Sequence, residues 1–246
     1  MKPLRIAMWS GPRNISTAMM RAWENRNDCV VWDEPLYDYY LDATALPHPG
    51  ADEIIAAQGT DWKAIVGRCS GDIPGDKYIY YQKHMTLHLL PEIDRGWMAS
   101  LTNCFLIRQP EAVIASYAAV RSDATLEDIG FIQQAELFDH VCEMSGEIPI
   151  VIDSRDFLLD PQGMLKTLCT TLQIDFDSAM LHWCKGPRES DGVWAKHWYD
   201  SVWKSTGFAP YREPSLQLTG REQEIAERAR PYYQHLYHHR ILAIAG

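Results

Sequence analysis

The chain has 246 residues, is 46% hydrophobic and carries a formal net charge of −10; that length supports one sizeable core, so a single domain over 1–246 is expected. The acidic balance excludes broad nonspecific nucleic-acid binding but leaves room for a local basic pocket that takes a small anion. No apolar run is long enough to span a bilayer and the first residues do not read as a signal peptide, which predicts a cytoplasmic protein without a membrane partner.

Leu4 to Trp9 has the apolar character of a buried strand, and Gly11-Pro12 turns the chain. Ile15, Met19, Ala22 and Trp23 then recur at helical spacing, which predicts a helix from about Ser16. Strand, turn and helix start in that order make an anion-binding layout, because the first helix amides lack intrahelical acceptors. Arg13 adds a cationic fork and Ser16 and Thr17 add hydroxyls. A nucleoside-triphosphatase loop, G-x-x-x-x-G-K-[ST], is not what is written here: Asn14 and Ile15 stand where its second glycine and lysine belong.

Cys29 to Trp32 reads as a second strand ending at Asp33-Glu34-Pro35. The stretch 43–75 is rich in turn residues around helices at Asp52 to Gln58 and Thr60 to Val66, the pattern of a lid or acceptor-side insertion. Tyr78 to Tyr81 gives a third strand that ends in Gln82-Lys83-His84, and Asn103 to Ile107 a fourth that ends at Arg108. Pro110 and Glu111 suit the first turn of a helix running to about Arg121. A helix over Asp128 to Met144, a fifth strand over Ile148 to Ile152 and a helix over Gly163 to Leu172 follow. Thr219 and Glu222 form a capping box for a helix reaching Tyr237, which Pro231 should kink or divide. This alternation predicts a three-layer α/β/α fold around a mostly parallel sheet. Ligands there gather beyond the carboxyl ends of strands, the expected place of Arg13, Glu34, Lys83, His84 and Arg108. Six cysteines at 29, 69, 104, 142, 169 and 184 form no C-x-x-C pair and the histidines no H-E-x-x-H motif, so free thiols and no metal site are expected.

Ser10-Gly-Pro-Arg-Asn-Ile-Ser-Thr17 resembles the 5′-phosphosulfate loop of sulfotransferases, approximately Y-P-K-S-G-T-T, with Arg13 at the lysine position and Ser16 and Thr17 at the hydroxyl positions. Arg108, with Ser116 eight residues on, is similar to the family's arginine and serine on the 3′-phosphate of 3′-phosphoadenylyl sulfate. The run Trp183 to Trp194 looks like the family's late cofactor loop, R-K-G-x-x-G-x-W, at longer spacing. The chain is also similar to bacterial and plant sulfotransferase-like proteins, some of which carry an aminotransferase-like name; nothing in it resembles a pyridoxal-phosphate enzyme.

The resemblance implies a P-loop nucleoside-triphosphatase-like sulfotransferase fold. It also implies donor contacts from Gly11, Pro12, Arg13, Asn14, Ile15, Ser16, Thr17, Arg108 and Ser116. In the late loop, Lys185 and Arg188 would meet the 3′-phosphate, Gly186 and Gly192 would admit the backbone, and Trp194 would support the adenine side. The implied reaction moves a sulfuryl group from 3′-phosphoadenylyl sulfate to a hydroxyl or amine of a small-molecule acceptor, leaves adenosine 3′,5′-bisphosphate, and needs no metal. Lys83 would be a second positive group. Three residues compete as acceptor base: His84, on a partial match of Gln82-Lys-His-Met85 to the family's K-T-H-L-P; Glu34, placed like the glutamate of some bacterial carbohydrate sulfotransferases; and His88, one turn beyond His84. A noncatalytic adenosine-bisphosphate-binding protein and a P-loop small-molecule kinase are the alternatives. The sequence leaves the oligomeric state open.

Overall fold

A computed structural model describes residues 2–118, 125–213 and 218–244. In chain order its strands and helices are β1 (Leu4–Ser10), α1 (Ser16–Glu24), β2 (Cys29–Asp33), α2 (Tyr37–Thr44), α3 (Ala51–Gln58), α4 (Trp62–Ser70), β3 (Ile79–Met85), β4 (Thr102–Ile107), α5 (Pro110–Ala118), α6 (Phe131–Ser145), β5 (Ile150–Asp153), α7 (Ser154–Leu159), α8 (Pro161–Thr171), α9 (Ala195–Trp198), α10 (Asp200–Trp203) and α11 (Gly220–Tyr237). The five strands make one sheet in the order β2-β3-β1-β4-β5. Both β2–β3 and β4–β5 pair in parallel, Asp33 opposite Lys83 and Ile107 opposite Asp153. Near-continuous buried runs such as Ile6 to Trp9 and Cys104 to Ile107 are what a parallel sheet covered on both faces requires.

The described chain divides into two compact units. One takes the chain up to Met8, Ser16–Asn103 and Ser178–Gly207. In it, α1 turns Met19, Met20, Ala22 and Trp23 inward, and Trp23 stacks on Tyr81 with ring centroids 5.4 Å apart. Asp61 caps α4 by accepting from the Lys63 and Ala64 amides, and α4 buries Ile65, Val66 and Cys69. Tyr37, Leu41 and Ile54 of α2 and α3 form a cluster with Trp194, Ala195 and Tyr199.

The other unit takes Trp9–Ile15, Cys104–Asp177 and the chain from Phe208 onward. Phe138 of α6 packs edge-on against Phe105 at 5.5 Å. The capping box of Thr219 and Glu222 is formed, and α11 buries Ile225, Ala226, Ala229, Tyr233 and Leu236. After α11 the chain lies along β5, where the Ile241 amide donates to the Val151 carbonyl at 2.9 Å and so shields that strand's free edge.

Several boundaries differ from the sequence expectation. β3 runs through Lys83 and His84 to Met85, because pairing with β2 carries the ladder past the polar residues. α11 is undivided at Pro231: its packed inner face holds the helix across the missing amide. Gly130 adopts a left-handed conformation (φ 72°), so α6 starts at Phe131 rather than Asp128. β5 begins at Ile150. The expected end of α5 near Arg121 lies outside the described residues. Helices α2 and α7 were not foreseen. The cysteines are free; Cys184 is exposed and Cys142 half-buried, the other four buried. Among the described residues, no helix is long and apolar enough to cross a membrane, and no cluster of His, Cys, Asp or Glu is placed to hold a metal.

Candidate functional site

The loop after β1 is held from below by side chains that bond its backbone. Gln134 of α6 donates to the carbonyls of Trp9 (3.3 Å) and Leu106 (3.1 Å). Asn14 accepts from the Ile15 amide at 2.8 Å and donates to the Leu106 carbonyl at 2.9 Å, which makes it a loop-fixing residue. A Cβ at Gly11 would come within 3.0 Å of the Ile129 carbonyl oxygen, so close packing requires glycine there. Ser16 is buried and Thr17 half-buried at the start of α1.

Arg13 sits in this loop with φ 58°, a left-handed conformation that side-chain-bearing residues rarely adopt. Its Nε donates to Ser116 Oγ at 2.9 Å, and Arg108 Nη1 donates to the Arg13 carbonyl at 2.5 Å. Three residues spread over more than a hundred positions are thus one hydrogen-bonded group. Neither guanidinium has a carboxylate ion-pair partner among the described residues. Burial, and then the neighbouring charge of Arg13, push Arg108 below its ordinary pKa, with Tyr211 and Asp153 opposing. Two uncompensated guanidiniums beside a hydroxyl are suited to an anion with several acceptor oxygens.

Arg108 also lines a cleft with Gln109, Ser154, Arg155, Tyr211 and Arg212. The Arg155 guanidinium lies 5.3 Å from the Tyr211 ring centroid. Sequence reasoning missed these cations. Arg212 carries no motif, but Ser154-Arg155 directly follows β5, so the rule that ligands gather beyond strand ends was a usable signal.

In the other unit, Lys83 is 1% exposed and its ammonium is fully engaged. Nζ donates to Asp33 Oδ1 at 2.9 Å, to the Tyr199 hydroxyl at 2.6 Å, and to Glu34 Oε1. Tyr199 donates to Asp33 Oδ2 at 2.7 Å and accepts from Trp194 Nε1 at 3.2 Å, while the Gly192 amide donates to Asp33 Oδ2 at 3.1 Å. Burial alone would lower the Lys83 pKa, but Asp33 and Glu34 carry it well above the ordinary lysine value. Burial, opposed by Lys83 and reinforced by Glu34, raises Asp33. Lys83 therefore departs from the expected second positive group: its three donors are spent on the cluster.

Glu34 follows β2 with φ 39°, and its Oε2 faces His88 Nδ1 at 3.7 Å. His88 lies on the turn Thr86–His88 after β3 and stacks on Tyr37 at 4.4 Å. His84 sits elsewhere. Alternation along β3 sends it to the opposite face from Lys83, where it meets Gln82 Oε1 at 3.1 Å and the Trp97 ring at 5.9 Å. Burial, then His88, lower its pKa to about 3; burial, then Lys83 and His48, hold His88 well below 6.5. The structure brings Glu34, Lys83 and His88 together and leaves His84 as a core histidine.

Both rings fold neutral, so their contribution to stability is present above pH 6.5 and is lost as pH falls through that value toward the lowered folded pKa. The unfolding free energy is expected to drop by ~1.4 kcal/mol per pH unit per histidine on acidification. Denaturant titrations of the wild type and of His84→Gln check this, the variant giving a shallower decline.

The late loop also differs from expectation. Arg188 is committed to Glu24 (3.7 Å) and Asn25 (3.3 Å), and Lys185 is exposed. The neighbouring Asp191 takes Arg21 Nη2 at 2.7 Å. Gly186 has φ 108°, which favours glycine irrespective of any ligand. Trp194 is 1% exposed and meets Tyr37 edge-on at 5.0 Å, so it is core rather than an adenine platform. Gly192 is needed because the Trp194 ring lies where its Cβ would be. Gly192→Ala is expected to destabilise the fold by ~1–3 kcal/mol through overpacking, read as a lowered Tm.

Comparison with known proteins agrees with this architecture. The chain is 33% identical over 241 residues to "Branched-chain-amino-acid aminotransferase-like protein 1" of Arabidopsis thaliana, covering 97% of this chain and 42% of that protein. It is 31% identical over 237 residues to the Arabidopsis protein 2 of the same description, covering 95% and 41%. The chain thus spans about two-fifths of the length of these curated relatives. Its fold matches the sulfotransferase domain from the curacin biosynthetic pathway (TM-score 0.56, 16% identity, 92% of this chain and 97% of that one). It likewise matches the sulfotransferase domain of the Synechococcus PCC 7002 olefin synthase (0.53, 15%, 93% and 95%) and a sulfotransferase from Alicyclobacillus acidocaldarius (0.56, 10%, 98% and 98%). A family model described as a sulfotransferase domain matches residues 4–240, from the first residue of β1 to the segment beside β5, and by that match the chain belongs to the sulfotransferase domain family.

Proposed function

We propose that this chain transfers a sulfuryl group from 3′-phosphoadenylyl sulfate to a hydroxyl or amine of a small-molecule acceptor, releasing adenosine 3′,5′-bisphosphate. The observation that carries the reading is the group formed by Arg13, Arg108 and Ser116, whose two guanidiniums lack carboxylate partners among the described residues. It fits a donor with phosphate at one end and phosphosulfate at the other. Arg108 and Ser116 would hold the 3′-phosphate, with Arg155 and Arg212 of the adjoining cleft within the same cationic lining. Arg13, the loop amides and the hydroxyls of Ser16 and Thr17 would hold the phosphosulfate.

Negative charge develops on the bridging phosphate oxygen as the sulfuryl group leaves, and a preorganised cation there lowers the barrier. Arg13 acts as a charge clamp, since a guanidinium does not give up its proton near neutral pH. Proton acceptance from the acceptor falls to the Glu34 and His88 pair. The match across 4–240 supports treating both units as one sulfotransferase domain. The segment 43–75 reads as an acceptor-side lid, tied down by the bond between the Tyr37 hydroxyl and His48 Nε2 at 2.6 Å.

The direct test follows labelled sulfate from 3′-phosphoadenylyl sulfate into alcohols, phenols, sugars and amines, with adenosine 3′,5′-bisphosphate binding measured in parallel. Binding without turnover in any class would move the assignment to a noncatalytic bisphosphate-binding protein. Arg13→Gly separates ligand chemistry from folding. Glycine removes a left-handed strain of ~1–2 kcal/mol and returns about half of it as unfolded-state entropy, so Tm should hold or rise while donor turnover falls.

A further inference from the structure

We propose that Asp38 is a pH-sensitive fastener: protonated, its carboxyl group holds the end of α3 against α2, and ionised, it loosens that end and the connection leading to α4. All of these elements belong to one compact unit. The fastener stands on its own geometry and does not depend on sulfuryl transfer; only its bearing on acceptor entry rests on the lid reading of 43–75.

Asp38 lies in the first turn of α2 and is fully buried. Its Oδ2 accepts from the Gln58 amide at 2.6 Å, while Oδ1 is buried without a hydrogen-bond partner. Gln58 is the last residue of α3, and its Oε1 accepts from Trp32 Nε1 of β2 at 2.5 Å. One residue thus joins the end of α3 both to α2 and to the sheet. Gly59 follows with φ 91° and open space where a side chain would stand, so the chain can turn there once Gln58 is released. Ile54 holds the middle of α3 in the cluster with Tyr37 and Trp194, and the Asp61 cap starts α4. The stretch left to loosen is therefore short, 58–61.

A buried carboxylate is costly unless it is paired. Lys83 meets that need for Asp33 and Glu34, but Asp38 has no cation. The charged or titratable groups on the elements around it are Asp42 of α2, Asp52 and Glu53 of α3, Arg68 of α4 and His88 of the turn after β3, together with the tyrosines of α2. Asp42, Asp52, Glu53 and Arg68 are exposed, Arg68 lying over the Trp32 ring at 4.2 Å. His88 stacks on Tyr37 and Tyr40 instead. Burial raises the Asp38 pKa to about 6, opposed by the Gln58 amide and by its own. A proton on Oδ1 removes the buried charge and leaves Oδ2 accepting from Gln58.

The folded value lies above the unfolded one of 3.8, so the fastening is complete below pH 3.8, is lost as pH rises toward 6 and stays lost above it. That span is worth ~10²-fold in the local closing equilibrium. The buried histidines act with the opposite sign, since their contribution to the whole fold is lost on acidification. An α3 end that tightens in acid while those histidines weaken the whole fold separates Asp38 from global stability.

Carbon-detected NMR of the carboxyl groups in the full chain reads Asp38 without a variant or a ligand. A midpoint near 6 is expected, and one at the ordinary carboxylate value of ~4 overturns the proposal. Hydrogen exchange over 56–61 reads the fastening itself. Corrected for the intrinsic exchange rate, wild-type protection there is expected to fall ~10²-fold from pH 4 to pH 7. Asp38→Asn is expected to show no such fall and to exceed the wild type at pH 7. Wild-type protection that stays level across that range, or an Asp38→Asn protein that falls in parallel with the wild type, overturns the fastener. If Asp38→Asn does not fold, the wild-type midpoint and exchange profile decide the matter between them.

Discussion

Arg108→Ala is expected to weaken binding of adenosine 3′,5′-bisphosphate by ~10- to 100-fold, since hydrogen bonds to a charged group are worth ~1.5–3 kcal/mol. Arg108 is suited to this because its charge is unspent: it donates to the Arg13 carbonyl and has no carboxylate ion-pair partner among the described residues. Little stability should be lost with it, because removing one of two neighbouring guanidiniums also removes their repulsion. Titration calorimetry with the bisphosphate, alongside Tm, separates the two effects. Arg108→Lys should recover only part of the affinity, since a lysine offers a point charge in place of a planar fork. Comparing Arg155→Ala and Arg212→Ala with Lys185→Ala then decides where the remaining cations lie. The cleft residues are expected to matter and the exposed Lys185 not to. Wild-type affinity in Arg108→Ala would overturn the donor-site assignment.

Legibility in the sequence followed the range of the interaction concerned. The opening strand, turn and helix were readable because they are contiguous, whereas Arg108, two residues before α5, and Ser116, within it, were singled out by the family's eight-residue spacing. That Ser116 would meet Arg13 was not readable from spacing; it depends on a left-handed residue in the loop and on β4 delivering Arg108 to the same place. Lys83 shows the reverse case. A polar run at the end of an apolar strand looks like a strand end, yet the ladder with β2 carries it inward, where Asp33 and Glu34 neutralise it. Period-two alternation was available to separate Lys83 from His84 and would have set His84 aside as a base. Trp194 and Gly192 matched a ligand-loop pattern for a packing reason, since an indole folded over a glycine produces the same letters whether or not a nucleotide is near. Helix α7 was missed because it starts immediately after the strand-end Asp153, and α2 because Asp33-Glu34-Pro35, which reads as a turn, stands between β2 and its start at Tyr37.

Lys83→Met is expected to be the most damaging single change in the chain, at ~3–5 kcal/mol of unfolding free energy, the usual cost of deleting one partner of a buried ion pair. Methionine nearly fills the same volume, so the loss would be electrostatic rather than a cavity. It leaves Asp33 and Glu34, 2% and 8% exposed, with no ammonium between them. The signature is in the pH dependence. Burial raises Asp33 and the ammonium opposes it, so without Lys83 the penalty is full above the raised folded pKa of Asp33, shrinks as pH falls below that pKa and is gone below the unfolded carboxylate value of ~4. The gap between wild type and variant should therefore narrow on acidification. Adding Asp33→Asn to Lys83→Met should recover stability even though Asp33→Asn alone costs it, a change of sign that identifies charge as the cause. Denaturant unfolding of the four proteins measures that cycle. A loss below about 1 kcal/mol in Lys83→Met, the size of one ordinary hydrogen bond, would mean that Asp33 already holds a proton, consistent in direction with its burial. In that case Asp33 would be held by the Tyr199 hydroxyl and the Gly192 amide, and Glu34 Oε1 would keep the Tyr199 hydroxyl, at 3.5 Å, as its neighbour in the cluster.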